Sequence, residues 1–347
     1  MNSGILRVVA LVPILLLLVV LSLSLGSVMV APAELWAARS ELFRGGVVGG
    51  IAHDRSIVGL ILATVRLPRT ITALGAGAAL SLSGLLMQTV FRNALAGPGV
   101  LGVTSGAGLG VAVVLLLGIG GNGSMPVGIA AIAGGSAVLL LGLAINRIIG
   151  QPVILLVLGL LFGYAASAGT TLLMASSPAE GLERYVVWSF GSFALPPGPG
   201  PWILVAATTL VAAALTASGA RLDALLLGPL YAESSGLNAR SFQGILILIS
   251  GVLTGLVTAL AGPITFIGVA VPHLARGWMR SSRHTVLVPA TVLIGASLGI
   301  AGDIVSRLPG SDRVLPLNAV MALVGVPVVL SVLLRPGRRV TEEGIGL

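Results

Sequence analysis

Charge is scarce in this chain and is spaced so that the uncharged stretches between charges have the length of a membrane crossing. The chain holds 19 basic and 11 acidic residues among 347. Between them lie uncharged gaps at 8–33, 70–91, 93–146, 148–179, 185–220, 241–275, 284–302 and 314–334. A helix needs ~20 apolar residues to cross ~30 Å of hydrocarbon, and a charge at the bilayer centre costs about 2.5–3.5 kcal/mol on insertion scales. Each gap holds at least one crossing. The fold class is therefore all-α: a polytopic integral membrane protein whose single transmembrane domain occupies 1–347.

Composition agrees and removes several classes of function. The mean hydropathy is +1.09 and 56% of residues are hydrophobic, whereas soluble domains carry ~25% charged residues. There is no Cys, and the three His (53, 273, 284) lie far apart, so thiolate metal sites, disulfides and a His-rich metal centre are excluded. All the basic residues are Arg. A phosphate-binding P-loop requires Lys, so any ATP must be bound by another polypeptide. The pI of 11.4 reflects Arg flanking spans rather than a nucleic-acid-binding stripe.

The first run, 8–30, is longer than the ~7–15 residues of a signal-peptide core and reads as a retained first span. The gap 93–146 is broken at Gly120–Pro126, a turn sequence, giving helices near 100–119 and 126–146. Further spans are expected near 70–90, 152–174, 201–219, 240–260, 285–302 and 316–334, with a broken or tilted helix at 264–280 after Gly262-Pro263. The total is about ten. Ten spans put both termini on one side, and the Arg distribution, 11 against 8, makes that side cytoplasmic.

Gly is 49 of 347 residues, with many small-xxx-small pairs: Gly102/Gly106, Gly106/Gly110, Gly159/Gly163, Gly251/Gly255 and Gly295/Gly299. Spacing of four places both on one helix face and lets backbones approach closely. Ala-Leu-Ala-Gly-Pro occurs at 94–98 and again at 259–263, and paired breaks in two halves are a common transporter architecture.

Three segments are too patterned to be filler. The first is Arg66-Leu-Pro-Arg69 leading into GAGAALSLSGLLMQTVFRNALAGPGVLGVTSGAG, a second- and third-span motif within 66–108. The others are LDALLLGPLYAESSGLN at 222–238 and AGPITFIGVAVPHLAR at 261–276. In order and spacing they resemble the FecCD-type permeases, membrane subunits of ABC importers for iron–siderophore, haem and cobalamin. The resemblance runs from about residue 60 to 335. It departs at Ala94, where the family has Pro, and at Val314-Leu315-Pro316-Leu317-Asn318, where a family carboxylate is lost.

The resemblance implies a type II ABC importer permease bundle, translocating an iron(III)–siderophore complex by alternating access, with haem or cobalamin as alternative cargoes. It implies ATPase subunits holding ATP and Mg, a second permease subunit (identical or a paralogue), and an extracytoplasmic binding protein. The segment 222–238 then contains the coupling helices. Leu225, Leu226, Leu227 and Leu230 supply an apolar face, Gly228-Pro229 and Ser235-Gly236 break the helix at both ends, and Leu222 and Ala232 are counted with them as ATPase-coupling residues. Arg66, Arg69 and Arg307 lie on the outer rim, where Arg suits bidentate recognition of the binding protein's carboxylates, and helix-end snorkelling is the competing reading. Gly77, Ser81, Ser83 and Gly84 form a smooth pathway wall, with Gln88, Arg92 and Asn93 at an inner gate or, equally, holding a helix end. His273 reads as structural, and Asp303 as pairing with Arg307 one turn later. No residue is assigned to catalysis or to a metal. The rival is an ion-coupled secondary transporter, which needs paired carboxylates inside the spans. Asp303 is the sole candidate.

Overall fold

The computed structural model describes residues 3–26, 29–37, 56–119, 124–149, 152–195, 198–307 and 314–333. Among these residues the regular structure is helical throughout. In chain order the helices are α1 (Ser3–Val9), α2 (Leu11–Ser24), α3 (32–37), α4 (Ile57–Ile61), α5 (Leu67–Val90), α6 (Val103–Leu116), α7 (Ser124–Ile149) and α8 (Pro152–Ala175). There follow α9 (Ala179–Ser189), α10 (Gly200–Ala217), α11 (Gly219–Leu227), α12 (Pro229–Ser234), α13 (Ala239–Ala261), α14 (Ile267–Met279), α15 (His284–Ser306) and α16 (Leu317–Leu333). Seven stretches of the described residues are long and apolar enough to cross a bilayer. The shorter apolar helices α6 and α16 bring these to nine among the described residues, and α14, which carries Arg276 and follows the Gly262-Pro263 break, takes the place of the expected broken or tilted tenth.

Two boundaries differ from the sequence expectation. The second span begins not at 70 but at Ile57, since α4 runs through a π-turn at Leu62–Arg66 into α5. The π-turn lies just before Pro68, which has no N–H to offer the preceding turn. Arg66 and Arg69 thus lie inside a continuous helix, which is tolerable because both guanidinium groups find buried acceptors. Met125 and Pro126, expected in a turn, belong to the first turn of α7, a position where Pro is accepted. Residues 120–123 of that expected break lie outside the described residues.

α5 is the axis of the bundle. Nineteen of its residues, from Thr70 to Val90, are buried, and it packs against α10, α13, α14 and α15. Small residues make this possible. A Cβ on Gly77 would stand 2.1 Å from Gly295 O, and one on Gly299 would stand 2.3 Å from Ala73 O. The Gly295/Gly299 pair therefore marks a backbone-to-backbone crossing of α5 and α15. The same holds for α6 on α7, where Gly110 lies against Ala130 O and Gly134 against Gly106 O.

The two Ala-Leu-Ala-Gly-Pro copies precede the two short helices α6 and α14, and the segments after them meet. Gly268 contacts Pro98 on one side and Leu80 O on the other, and His273 Nε2 bonds Ala94 O at 2.8 Å. The chain after α5 thus folds back beside it, which shortens α6. Asn318 Oδ1 accepts from the Thr265 N–H (3.1 Å) and hydroxyl (2.7 Å), fastening α16 to the break before α14.

The ends of the bundle are distinct. Arg7 Nη1 donates to Met279 O (2.6 Å) and Trp278 Nε1 donates to Arg7 O (3.0 Å). α1 therefore shares an end with α14's last turn, and with α11, whose Asp223 bonds His284. Ser22 to Leu25, Arg66, Arg69 and Arg307 gather at the opposite end.

Candidate transport and coupling sites

The segment 222–238 folds as two short helices broken at Gly228, whose φ of +128° only glycine adopts freely. Its apolar residues divide by helical spacing. Leu222, Leu225 and Ala232, with Gly228, face the bundle and are buried. Leu227, Leu230 and Tyr231 are exposed at 67%, 83% and 53%, and Leu226 is intermediate. The expected docking face is thereby corrected: Leu222, Leu225 and Ala232 anchor the segment to its own protein. The unpartnered surface is Leu226, Leu227, Leu230 and Tyr231, bordered by exposed Glu233, Ser235 and Gly236. Tyr231 was missed because an aromatic inside a polar run carries no periodic signal. Arg92, in left-handed backbone at the end of α5, puts Nη1 3.6 Å from where a Cβ on Gly228 would stand.

Beside Arg92, Gln88 is held from both directions. Its Oε1 accepts from Arg276 Nη1 at 2.6 Å, and its Nε2 donates to Val269 O at 3.3 Å. Asn93 Oδ1 accepts from the Leu95 N–H at 2.9 Å. Asn93 also lines a cleft of about 490 Å³ between the 93–105 segment and α8, with Gly99, Ser105, Gly159 and Tyr164 on its walls.

The pathway expectation for Gly77, Ser81, Ser83 and Gly84 is not what the structure displays. All four are buried within the chain. Ser81 Oγ donates to Ala78 O (2.9 Å) or Thr291 O (3.1 Å), and Ser83 Oγ bonds Ser250 O (2.9 Å) and Thr254 Oγ1 (2.9 Å). A Cβ on Gly84 would stand 1.7 Å from Gly268 O. Small size serves close helix contact here, not a smooth wall.

At the opposite end, Asp303 is fully buried, and Arg69 Nε donates to its Oδ1 at 2.8 Å. Arg307 Nη2 lies 3.1 Å from Oδ2, and Arg307 Nη1 donates to Ser22 O (3.1 Å) and Leu25 O (3.0 Å). Arg66 is 5% exposed and donates to Leu23 O and Ser24 O. The Asp303 partner expected from sequence, Arg307, is joined by Arg69, which lies far away along the chain. The three Arg expected at the outer rim are thus engaged with one carboxylate and with the carbonyl end of α2, where the helix dipole favours cations. In this conformation none of the three guanidinium groups is presented as a free carboxylate receptor.

Among the described residues no cluster of three or more potential metal ligands occurs. The apolar bundle, with a broken amphipathic segment at the end shared with the chain's start, is that of an ABC importer permease subunit, as comparison with known proteins shows. The chain belongs to the FecCD transport family, whose profile matches residues 14–335. It is 34% identical over 325 residues to the vitamin B12 import system permease protein BtuC of Citrobacter koseri, covering 94% of this chain and 93% of that protein. To BtuC of Escherichia coli O127:H6 it is 33% identical, covering 94% of each. Among solved structures it is similar to a metal-chelate type ABC transporter in an inward-facing conformation, with TM-score 0.79, 27% identity and coverage of 94% and 98%. It also shares the fold of PsaBC from Streptococcus pneumoniae in complex with Fab, with TM-score 0.51, 14% identity and coverage of 78% and 91%.

Proposed function

We propose that this chain is the subunit through which an ATP-driven importer passes a bulky metal chelate across the cytoplasmic membrane, with a corrinoid as the first cargo. This replaces the ferric siderophore favoured by sequence alone. The supporting observation is likeness over 94% of the chain to permeases of vitamin B12 import. ATPase subunits, which bind ATP and Mg, grip Leu226, Leu227, Leu230 and Tyr231. A binding protein delivers cargo at the end bearing Asp303, and a second permease subunit completes the pathway. Both termini lie in the cytoplasm, on the side of the ATPase.

The lining of the path follows from burial. α5 is enclosed within its own subunit, so the path runs along surfaces that face outward, such as the cleft between 93–105 and α8. Alternating access then means that ATPase closure moves the ends of these helices relative to the partner subunit.

The test is uptake by a strain lacking its own corrinoid and siderophore permeases, expressing this chain with the neighbouring ATPase and binding-protein genes. Accumulation of labelled cyanocobalamin, undiminished by excess ferric siderophore, is the expected result. Ferric siderophore uptake without cobalamin uptake would return the cargo to the earlier expectation.

A further inference from the structure

Where α11, α15 and α5 meet, three polar side chains from three helices form one hydrogen-bonded chain, buried at His284 and Thr89 and 34% exposed at Asp223. His284, the first residue of α15, is 1% exposed, and both ring nitrogens are engaged. Nδ1 lies 2.7 Å from Asp223 Oδ1 on α11, and Nε2 lies 2.9 Å from Thr89 Oγ1 on α5. An ionised carboxylate only accepts, so Nδ1–H donates to Asp223. The same oxygen accepts the His284 backbone N–H at 2.9 Å. Asp223 therefore caps α15 from a different helix, satisfying one of its unpaired N-terminal donors. Thr89 is itself fully buried.

The surroundings leave little slack. A Cβ on Gly219 would stand 2.6 Å from Thr285 Cγ2 and 2.9 Å from Thr285 N, so the start of α11 sits directly on the start of α15. Leu222 and Leu225 on either side of Asp223 are buried. Gln88, next to Thr89, is tied to Arg276 on α14. The ends of α5, α14 and α15 are thus fastened to the segment whose other face carries Leu227 and Leu230.

Burying the His284 ring and the Thr89 hydroxyl costs free energy that an apolar joint would not. Apolar contact is non-directional and can slip, whereas a satisfied hydrogen-bond chain fixes one register between the elements that it joins. We propose that Asp223, His284 and Thr89 are the linkage by which displacement of the coupling segment moves the end of α5, with His284 as the positioning residue between them. This rests on the reading of 222–238 as the ATPase contact.

The experiment measures ATP hydrolysis and cargo uptake together in proteoliposomes holding the complete transporter, for wild type, Thr89→Val, Thr89→Ser and His284→Leu. Val matches Thr in shape but lacks the hydroxyl, and Ser restores it. Expected is ATP hydrolysis within about twofold of wild type in all variants. Cargo moved per ATP falls about fivefold or more in Thr89→Val and His284→Leu, and recovers in Thr89→Ser. Unchanged cargo per ATP in Thr89→Val, with uptake merely tracking the amount of folded complex, would overturn the linkage. Absence of any permease-dependent ATP hydrolysis in wild type would instead overturn the parent reading. Should His284→Leu not fold, the Val and Ser pair decides alone.

Discussion

Gly84→Ala puts one methyl group at the crossing of α5 and α14 and isolates the role of backbone contact. The added Cβ would stand 1.7 Å from Gly268 O, 2.4 Å from Gly268 C and 2.7 Å from Gly268 Cα. No rotamer change relieves this, since all three opposing atoms are backbone. Restoring an ordinary separation of ~3.5 Å requires the two helices to part by roughly 1.5–2 Å. A radial gap of even ~1 Å forfeits up to about half the dispersion energy of each atom pair across the interface. Overpacking typically costs about 1–3 kcal/mol, and rigid opposition on both sides places this case at or above the top of that range. Gly244→Ala on α13 is the control, because nothing lies within 4 Å of its Cβ position. There the better helix propensity of Ala favours folding by up to ~1 kcal/mol. Thermal loss of the monodisperse gel-filtration peak in one detergent is the assay. Gly84→Ala should melt roughly 5 °C or more below wild type, at a few degrees per kcal/mol, while Gly244→Ala matches or exceeds it. Equal melting of the two Ala variants would refute backbone contact as the source of the packing.

Three further outcomes follow from the geometry. Asp303→Asn leaves the Arg69 and Arg307 guanidinium groups buried without their carboxylate, a loss of about 3–5 kcal/mol. It should lower the detergent melting temperature, and Arg69→Met in the same chain should recover part of that loss in a double-mutant cycle. Leu230→Glu, on the exposed face of α12, should leave melting unchanged yet reduce co-purification of the ATPase about tenfold, whereas an unaltered yield would remove that face from the contact. Asn318→Leu removes the acceptor for both Thr265 donors and should cost about 1–2 kcal/mol, read in the same melting assay.

The number of spans was legible because the penalty for a central charge is local and additive along the chain. The ends of spans were less so. Arg66 and Arg69 read as a boundary, yet the helix continues through them because Asp303 and the carbonyls of α2 neutralise them from distant positions. Small residues announced close packing at Gly295 and Gly299 and a pathway wall at Gly77 and Gly84, since without the opposing backbone a wall and a crossing looked alike. Leu225, Leu226, Leu227 and Leu230 read as one apolar face of an amphipathic segment, while only the fold shows that Leu225 is already occupied. The Asp223–His284–Thr89 chain had no signature, since its members are far apart in sequence and individually ordinary. Asn318 was noted only as the last residue of the 314–318 stretch that departs from the family pattern. Its service to Thr265 depends on two helix ends meeting.

The most direct measurement is cargo translocation across proteoliposomes assembled with and without the ATPase, at matched permease content, with the loaded binding protein in the lumen and ATP outside. Inward transport then appears as release of cargo to the exterior, dependent on both ATP and the ATPase and lost in Leu230→Glu. Release of the same cargo by the permease alone, driven by an imposed proton or sodium gradient, would contradict the assignment of this chain to an ATP-powered importer.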